Sequence, residues 1–396
     1  MEREKKVFFF IDSLGGGGAE RVVSVIANSF AEQYKYDVSI VMLRKSDIMY
    51  PLSEMIHLIF AEDLSVYSLW SKFVRFIFGF YKFFRQGIYK NFMVKIGRYG
   101  EVPQYDETSF YYYAKYAMPY RDLLMQNKVD TAFGFLIRSN ISMLMAAKGT
   151  NVKTVFCERN NPVRPDIPWN IINIRDRIYH RCTSAVFQTE EEMKYYTEIK
   201  GEKAVIPNPL KDDLPKRFSG IRRKNIVNFC RLNKQKNIPL LIDAFKMLLS
   251  DYSDYTLQIY GNGTEKYYLN DYIKFKQLES CVFIKDFSNN IHEKIKDASM
   301  FVSTSDFEGL SNSMLEAMAI GLPCVCTDCD GGGARMMIED HVNGLLVPKG
   351  DVNAVYKAMK EIIEDKKLAE KISINASKLK DELSVDKIVD KWIEMI

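Results

Sequence analysis

Apolar positions along the chain follow two rhythms. Residues 7–11, Val-Phe-Phe-Phe-Ile, form an unbroken apolar run, the pattern of a strand buried on both faces of a parallel sheet. After a loop at 13–18, Val22, Val23, Ile26, Ala27 and Phe30 recur at helical spacing and predict a helix over 19–34. Residues 38–43 form the next apolar strand, so the chain opens as strand, helix, strand, the connection a parallel sheet requires. The rhythm breaks over 64–118. It resumes with strands at 129–135, 152–157 and 185–188 and a helix at 139–148. Ile206-Pro207-Asn208-Pro209 is stiff and extended and marks a domain boundary. Beyond it the alternation restarts, with strands at 226–229, 256–260, 282–284, 300–302 and 323–327. Helices are predicted at 239–251, 313–320, 351–365 and 385–396. The prediction is two doubly wound α/β domains, residues 1–206 and 207–384, facing a central cleft. The last helix, 385–396, packs back towards the first domain. Ligands of such sheets bind beyond the carboxyl ends of the strands.

Composition narrows the class. The 396 residues suit two or three domains, and 47% hydrophobic with 27% charged residues excludes wholesale disorder. A net charge of +4 excludes a dedicated nucleic-acid binder. The cysteines number seven, an odd count, and are mostly far apart, which suits free buried thiols in a reducing compartment. Cys324, Cys326 and Cys329 lack a fourth ligand at a plausible spacing for zinc, and no metal is expected. No signal-peptide core precedes Asp12, and no apolar run reaches the roughly 20 residues of a membrane span. The expectation is a cytoplasmic protein, or one on the cytoplasmic face of a membrane.

Four motifs carry candidate chemistry. Gly15-Gly16-Gly17-Gly18-Ala19-Glu20-Arg21 joins a strand to a helix, where glycines allow close approach and the helix start favours an anion. It lacks the lysine of a phosphate-binding P-loop. Arg231-Leu232-Asn233-Lys234-Gln235-Lys236-Asn237 follows a strand, and Arg231 with Lys236 can neutralise a diphosphate. Glu308 and Glu316 stand with seven residues between them, Gly309, Leu310, Ser311 and Asn312 among these at a helix start. Ser313 and Glu316 equally fit a capping box, which makes Glu316 a helix-start residue. Asp330-Gly331-Gly332-Gly333-Ala334-Arg335 and the turn Asn343-Gly344 are expected to shape the cleft wall.

The order of these pieces resembles the family 4 retaining glycosyltransferases of the GT-B fold, whose two domains are Rossmann-like. The resemblance is strongest over 206–350, through Glu308-x7-Glu316 and Met318-Ala319-x-Gly321-Leu322-Pro323. It implies transfer from a nucleotide-sugar, most often a UDP-sugar, with retention and without a metal or other cofactor. It implies that Arg231 and Lys236 hold the donor diphosphate, helped by amides near Leu310 and Ser311. Glu316 would bind ribose hydroxyls and Glu308 would contact the donor sugar. Gly16 and Gly17, with Gly261, Gly263, Gly309 and Asn312, would complete the donor site. Many relatives carry a histidine on the first domain. Here Glu158-Arg159-Asn160 stands in that place, and Arg159 and Asn160 are expected to line the acceptor side with Glu158 orienting Arg159.

The segment 64–100 has no acidic residue, and from 66 to 100 it holds seven cations and twelve aromatics. At helical spacing Lys72, Arg75, Lys82 and Arg85 share one arc, while Trp70, Phe73, Phe76, Ile77 and Phe80 share the opposite one. This is the pattern of a helix lying in a membrane interface; a lid packed on the first domain is the other reading. Together these features point to a hexosyl or N-acetylhexosaminyl transferase. It would work at an anionic membrane, with a lipid-linked or polysaccharide acceptor. A non-catalytic nucleotide-sugar-binding protein and a sugar-nucleotide epimerase are the rival readings.

Overall fold

In the computed structural model, which describes residues 4–64, 69–70, 72–77, 107–165 and 167–396, every strand pairing is parallel. The first sheet contains β1 (Lys6–Ile11), β2 (Asp37–Met42), β3 (His57–Phe60), β4 (Thr131–Phe135), β5 (Lys153–Cys157), β6 (Ser184–Phe187) and β7 (Glu202–Val205). Their order is β3-β2-β1-β4-β5-β6-β7. The second sheet contains β8 (Arg223–Phe229), β9 (Thr256–Tyr260), β10 (Val282–Lys285), β11 (Ala298–Ser303), β12 (Cys324–Asp328) and β13 (Leu345–Pro348), ordered β10-β9-β8-β11-β12-β13. Each sheet reverses its winding once, between β1 and β4 and between β8 and β11. A doubly wound sheet opens a crevice at that point.

The central strands are buried because both faces are covered. Along β1 all residues from Val7 to Ile11 are inaccessible, and Phe9 stacks on Phe133 of β4 at 5.3 Å and 15°. The helix Gly18–Glu32 lays Val22, Val23, Ile26, Ala27 and Phe30 on this layer. In the second domain the helices Ile238–Leu249 and Val352–Glu364 cover β8, β9 and β12 through Leu241, Phe245, Val355 and Met359. Asp351 starts the second of these helices by accepting from the Ala354 amide at 2.9 Å.

The helix Val385–Ile393 lies on the first domain. Trp392 is fully buried, stacking on Phe135 at 5.7 Å and meeting Phe133 edge-on at 5.8 Å. Burying such a side chain contributes about 3 kcal/mol or less. Tyr34 donates its hydroxyl to Asp390 at 2.6 Å from the other side.

Several elements were not foreseen from the pattern. β3 and β7 are four-residue strands, largely exposed or half-exposed, too short to show a rhythm. β13 includes Leu345-Leu346-Val347, which the adjoining Asn343-Gly344 made look like part of a turn. The helix Glu107–Gln126 is rich in tyrosine and contains Pro119, and its apolar stripe is weak. All seven cysteines are free, and burial pushes the thiols of Cys324, Cys326 and Cys329 up.

Candidate active site

The loops at the two winding reversals face each other. From the second domain, β8 runs into Arg231 to Asn237 and β11 into Thr304 to Glu308. Lys236 forms an ion pair with Glu308, both side chains less than one-fifth exposed. Burial works against the Lys236 charge, but the neighbouring Glu308 carboxylate outweighs it and holds the ammonium above its ordinary pKa. The Arg231 guanidinium donates to the Gly16 carbonyl at 3.1 Å, crossing to the first domain. The loop is pinned from behind: a Cβ on Gly261, at φ +151°, would lie 1.9 Å from the Cys230 carbonyl oxygen, and one on Gly263 2.1 Å from that of Leu232. These two glycines let the chain after β9 press against the loop that carries Arg231, and Gly263 is exposed there.

The Glu308–Asn312 segment is buttressed in the same way. A Cβ on Gly333 would meet the Gly309 carbonyl oxygen at 1.8 Å, and the Glu308 amide donates to the Asp330 carbonyl at 2.8 Å. The helix Asn312–Ala319 starts two residues earlier than the capping-box reading required. Ser311 is its N-cap, accepting from the Met314 amide at 3.5 Å, so Glu316 lies in the second turn and is buried. The Leu310 amide is also not open to a phosphate, because it donates to Gln188 Oε1 at 3.2 Å. The Ser311 hydroxyl is used as the cap, and the Asn312 side chain accepts from Arg21 at 2.9 Å and from Asn208 at 2.8 Å.

Glu316 is held from two directions. His292 Nε2 lies 2.9 Å from Oε2, and Arg21 Nη1, from the first domain, lies 3.8 Å from Oε1. Burial pushes the Glu316 carboxyl up, but the His292 hydrogen bond and then the Arg21 charge bring it below the ordinary value.

Asn208 is the hub between the domains. Its side-chain oxygen accepts from Arg159 at 2.5 Å and Gln188 at 2.9 Å, and its amide donates to the Leu310 carbonyl at 3.2 Å and to Asn312. Arg159 is therefore part of this hub. It is 8% exposed and lies 5.7 Å from the rings of both Phe135 and Trp392. Glu158 does not orient its guanidinium; the Glu158 carboxylate accepts from the Tyr196 hydroxyl at 2.5 Å and from the Arg159 amide at 3.2 Å. Of the expected acceptor-side trio only Asn160 is partly open, its Cα 3.1 Å from where a Cβ on Gly309 would sit.

The first domain instead presents Asp12, at the end of β1, and Arg138 and Ser139, just after β4. Ser139 donates to Asp12 at 2.9 Å, and Arg138 lies 3.9 Å from the other carboxylate oxygen. Burial raises the Asp12 carboxyl pKa, against the Ser139 hydrogen bond and the charges of Arg138 and Arg44. Between β4 and the helix Ile137–Ala147, Leu136 has φ +70°, a conformation that costs a non-glycine residue on the order of 1–3 kcal/mol. An acid directly after an apolar strand was the available sequence signal for Asp12. Nothing in the sequence pairs it with Ser139.

Residues 72–77 are helical. Val74 is buried and Trp70 donates to the Ala114 carbonyl at 3.1 Å, while Leu69, Phe73, Phe76 and Ile77 are 46–73% exposed. Lys72 and Arg75 are exposed beside them. Lys82, Arg85 and Phe80 lie outside the described residues. Among the described residues no helix is long and apolar enough to cross a membrane.

Residues 215–379 match the family of glycosyl transferases group 1. Over 379 residues the chain is 27% identical to the N-acetylgalactosamine-N,N'-diacetylbacillosaminyl-diphospho-undecaprenol 4-alpha-N-acetylgalactosaminyltransferase of Campylobacter jejuni, covering 92% of each. It is 24% identical to an uncharacterized glycosyltransferase of Haemophilus influenzae, covering 98% of this chain and 99% of that one. Anabaena HepE, crystallised with UDP and glucose, shares the fold with a TM-score of 0.74 at 16% identity, over 99% of both chains. The two-domain architecture is the GT-B fold.

Proposed function

We propose, from the match of residues 215–379 to the group 1 glycosyl transferases, that this glycosyltransferase carries out a retaining, metal-independent transfer from a UDP-sugar to a lipid-linked or polysaccharide acceptor. The observation that carries this reading is the partly buried Lys236–Glu308 pair beside Arg231 at the second domain's winding reversal. Two cations there can take the two charges that develop on a departing diphosphate, in a site organised before substrate arrives. The acceptor hydroxyl oxygen attacks the anomeric carbon from the face that the diphosphate leaves. The bond from that carbon to the phosphate oxygen breaks, and the proton passes to the departing phosphate. Glu308 contacts the sugar near the reacting carbon, and Glu316 receives the ribose hydroxyls. Asp12 and Arg138, facing this site from the first domain, hold the acceptor. The UDP and glucose bound by HepE, and the diphospho-undecaprenol acceptor named for the Campylobacter relative, support the choice of substrates.

The test is nucleotide release from UDP-, GDP- and ADP-sugars in EDTA, with a lipid extract as acceptor source. UDP release that EDTA leaves unchanged, with an α-linked product by NMR, is the expected result. Activity lost in EDTA and regained with a divalent ion would overturn the metal-independent mechanism. Silence across the panel would overturn the proposed donor class.

The exposed Leu69, Phe73, Phe76 and Ile77, flanked by Lys72 and Arg75, support docking of this segment on an anionic bilayer at the inner face of the cell membrane. Each basic residue near such a surface adds about 1 kcal/mol. In liposome flotation the protein is expected to rise with anionic vesicles and remain behind with neutral ones. Lys72→Glu/Arg75→Glu should weaken that association about thirtyfold or more. Equal flotation of the variant, or none by the wild type, would refute the docking.

A further inference from the structure

His292 belongs to no sequence motif, yet its side chain is a buried polar group beside the donor site. It is 6% exposed, edge-on to Phe229 at 5.8 Å, and on the short helix Ile291–Ile295 after β10. Its Nε2 is 2.9 Å from Glu316 Oε2. On the other side of the same carboxylate stands Arg21, 4% exposed. Arg21 spends Nη2 on the Pro209 carbonyl and on Asn312, each at 2.9 Å. Its Nε and Nη1 are buried without a hydrogen-bond partner.

That arrangement is not the one electrostatics alone would choose. A buried guanidinium with two unused donors next to a buried carboxylate should close into a bidentate pair. Instead Nη1 stops 3.8 Å from Oε1, beyond hydrogen-bond distance. The imidazole engages the other carboxylate oxygen at 2.9 Å. With Glu316 ionised, the Nε2 proton is donated to Oε2 and fixes the orientation of the whole group.

We propose that His292 is the positioning residue of the ribose subsite: by holding Oε2 it keeps Glu316 from closing onto Arg21 and leaves Oε1 available to a ligand hydroxyl. The proposal rests on the donor reading above. A nucleotide diphosphate without ribose hydroxyls has nothing to give Oε1, so it is indifferent to His292. A ribonucleotide is not. Removing the imidazole lets the carboxylate fall onto the two idle Arg21 donors, and the ribose hydroxyls then compete with a buried ion pair.

The test is calorimetric binding of UDP and of 2′,3′-dideoxy-UDP to the wild type, His292→Leu, His292→Gln and the double variant His292→Leu/Arg21→Gln. The wild type should prefer UDP by about tenfold or more, the worth of a hydrogen bond to a charged group. His292→Leu should lose that preference while binding dideoxy-UDP as the wild type does, which also shows that the variant is folded. His292→Gln, which restores a donor, should regain the preference. The double variant should recover part of it, since the competing guanidinium is gone. Retention of the preference by His292→Leu would overturn the proposal. So would equal loss of both nucleotides, which would make His292 a general structural residue. Failure of the wild type to bind either nucleotide would overturn the donor reading itself, and this one with it.

Discussion

Lys236→Ala is expected to lower sugar transfer by between about a hundredfold and a thousandfold and to weaken UDP binding at the same time. The ammonium is the partly buried cation at the end of β8, and its partner Glu308 is anionic. Without Lys236 a donor diphosphate would meet an uncompensated carboxylate in a site already removed from bulk water. Glu308→Ala provides the control. It should lower turnover while leaving UDP affinity unchanged or tighter, because it removes a negative charge near the diphosphate. The two variants therefore move UDP affinity in different directions if Lys236 serves the phosphate. If Lys236 were only the counter-ion of Glu308, both would act alike. Calorimetry with UDP and initial rates over a range of donor concentrations separate these outcomes. A Lys236→Ala enzyme that binds UDP as the wild type does would refute the assignment.

Trp392→Ala should be the most destabilising single change in the terminal helix, costing about 3–5 kcal/mol. The indole is fully buried between Phe133 and Phe135 and also covers Arg159, so truncation leaves a cavity and uncovers a buried guanidinium. Trp392→Phe should cost about 1 kcal/mol or less, since the indole Nε1 has no partner in this packing and its removal takes away an unsatisfied donor. Urea unfolding followed by circular dichroism checks both. An alanine variant with the wild-type midpoint would show that the helix does not dock on the first domain in solution.

What could be read from the sequence was what depends on neighbours along the chain. The apolar run of β1 and the helix after it are local signals, and the structure places them as expected. The loop carrying Arg231 and Lys236 and the segment Glu308 to Glu316 were also legible, because glycine and charge after a strand have a local meaning. What failed depends on distant partners. Arg159 looked like a residue open to the cleft, but Asn208 and Trp392 enclose it. The contact of Gly261 and Gly263 with the backbone of Cys230 and Leu232 was equally invisible, because it joins two separate loops. The helix start near Ser313 moved to Ser311 because serine at either position can cap, and packing of Leu315 and Met318 decides the phase. His292 and Asp12 carry no motif. Each acquires meaning only through Glu316 and Ser139, which the fold brings to it.

The return of the terminal helix has a consequence for how the chain is made. Phe133 and Phe135 lie early in the sequence, yet the indole that covers them emerges from the ribosome only with residue 392. At ordinary synthesis rates the interval from residue 206 to residue 392 lasts on the order of 10–40 s. Throughout it the nascent first domain carries an apolar face with no cover. The second domain is nearly as late, since its core takes in Ile372, Ala376, Leu379 and Leu383 beyond the helices over β8, β9 and β12. The first domain waits longest for its cover and is the stretch on which chaperone binding during translation would concentrate.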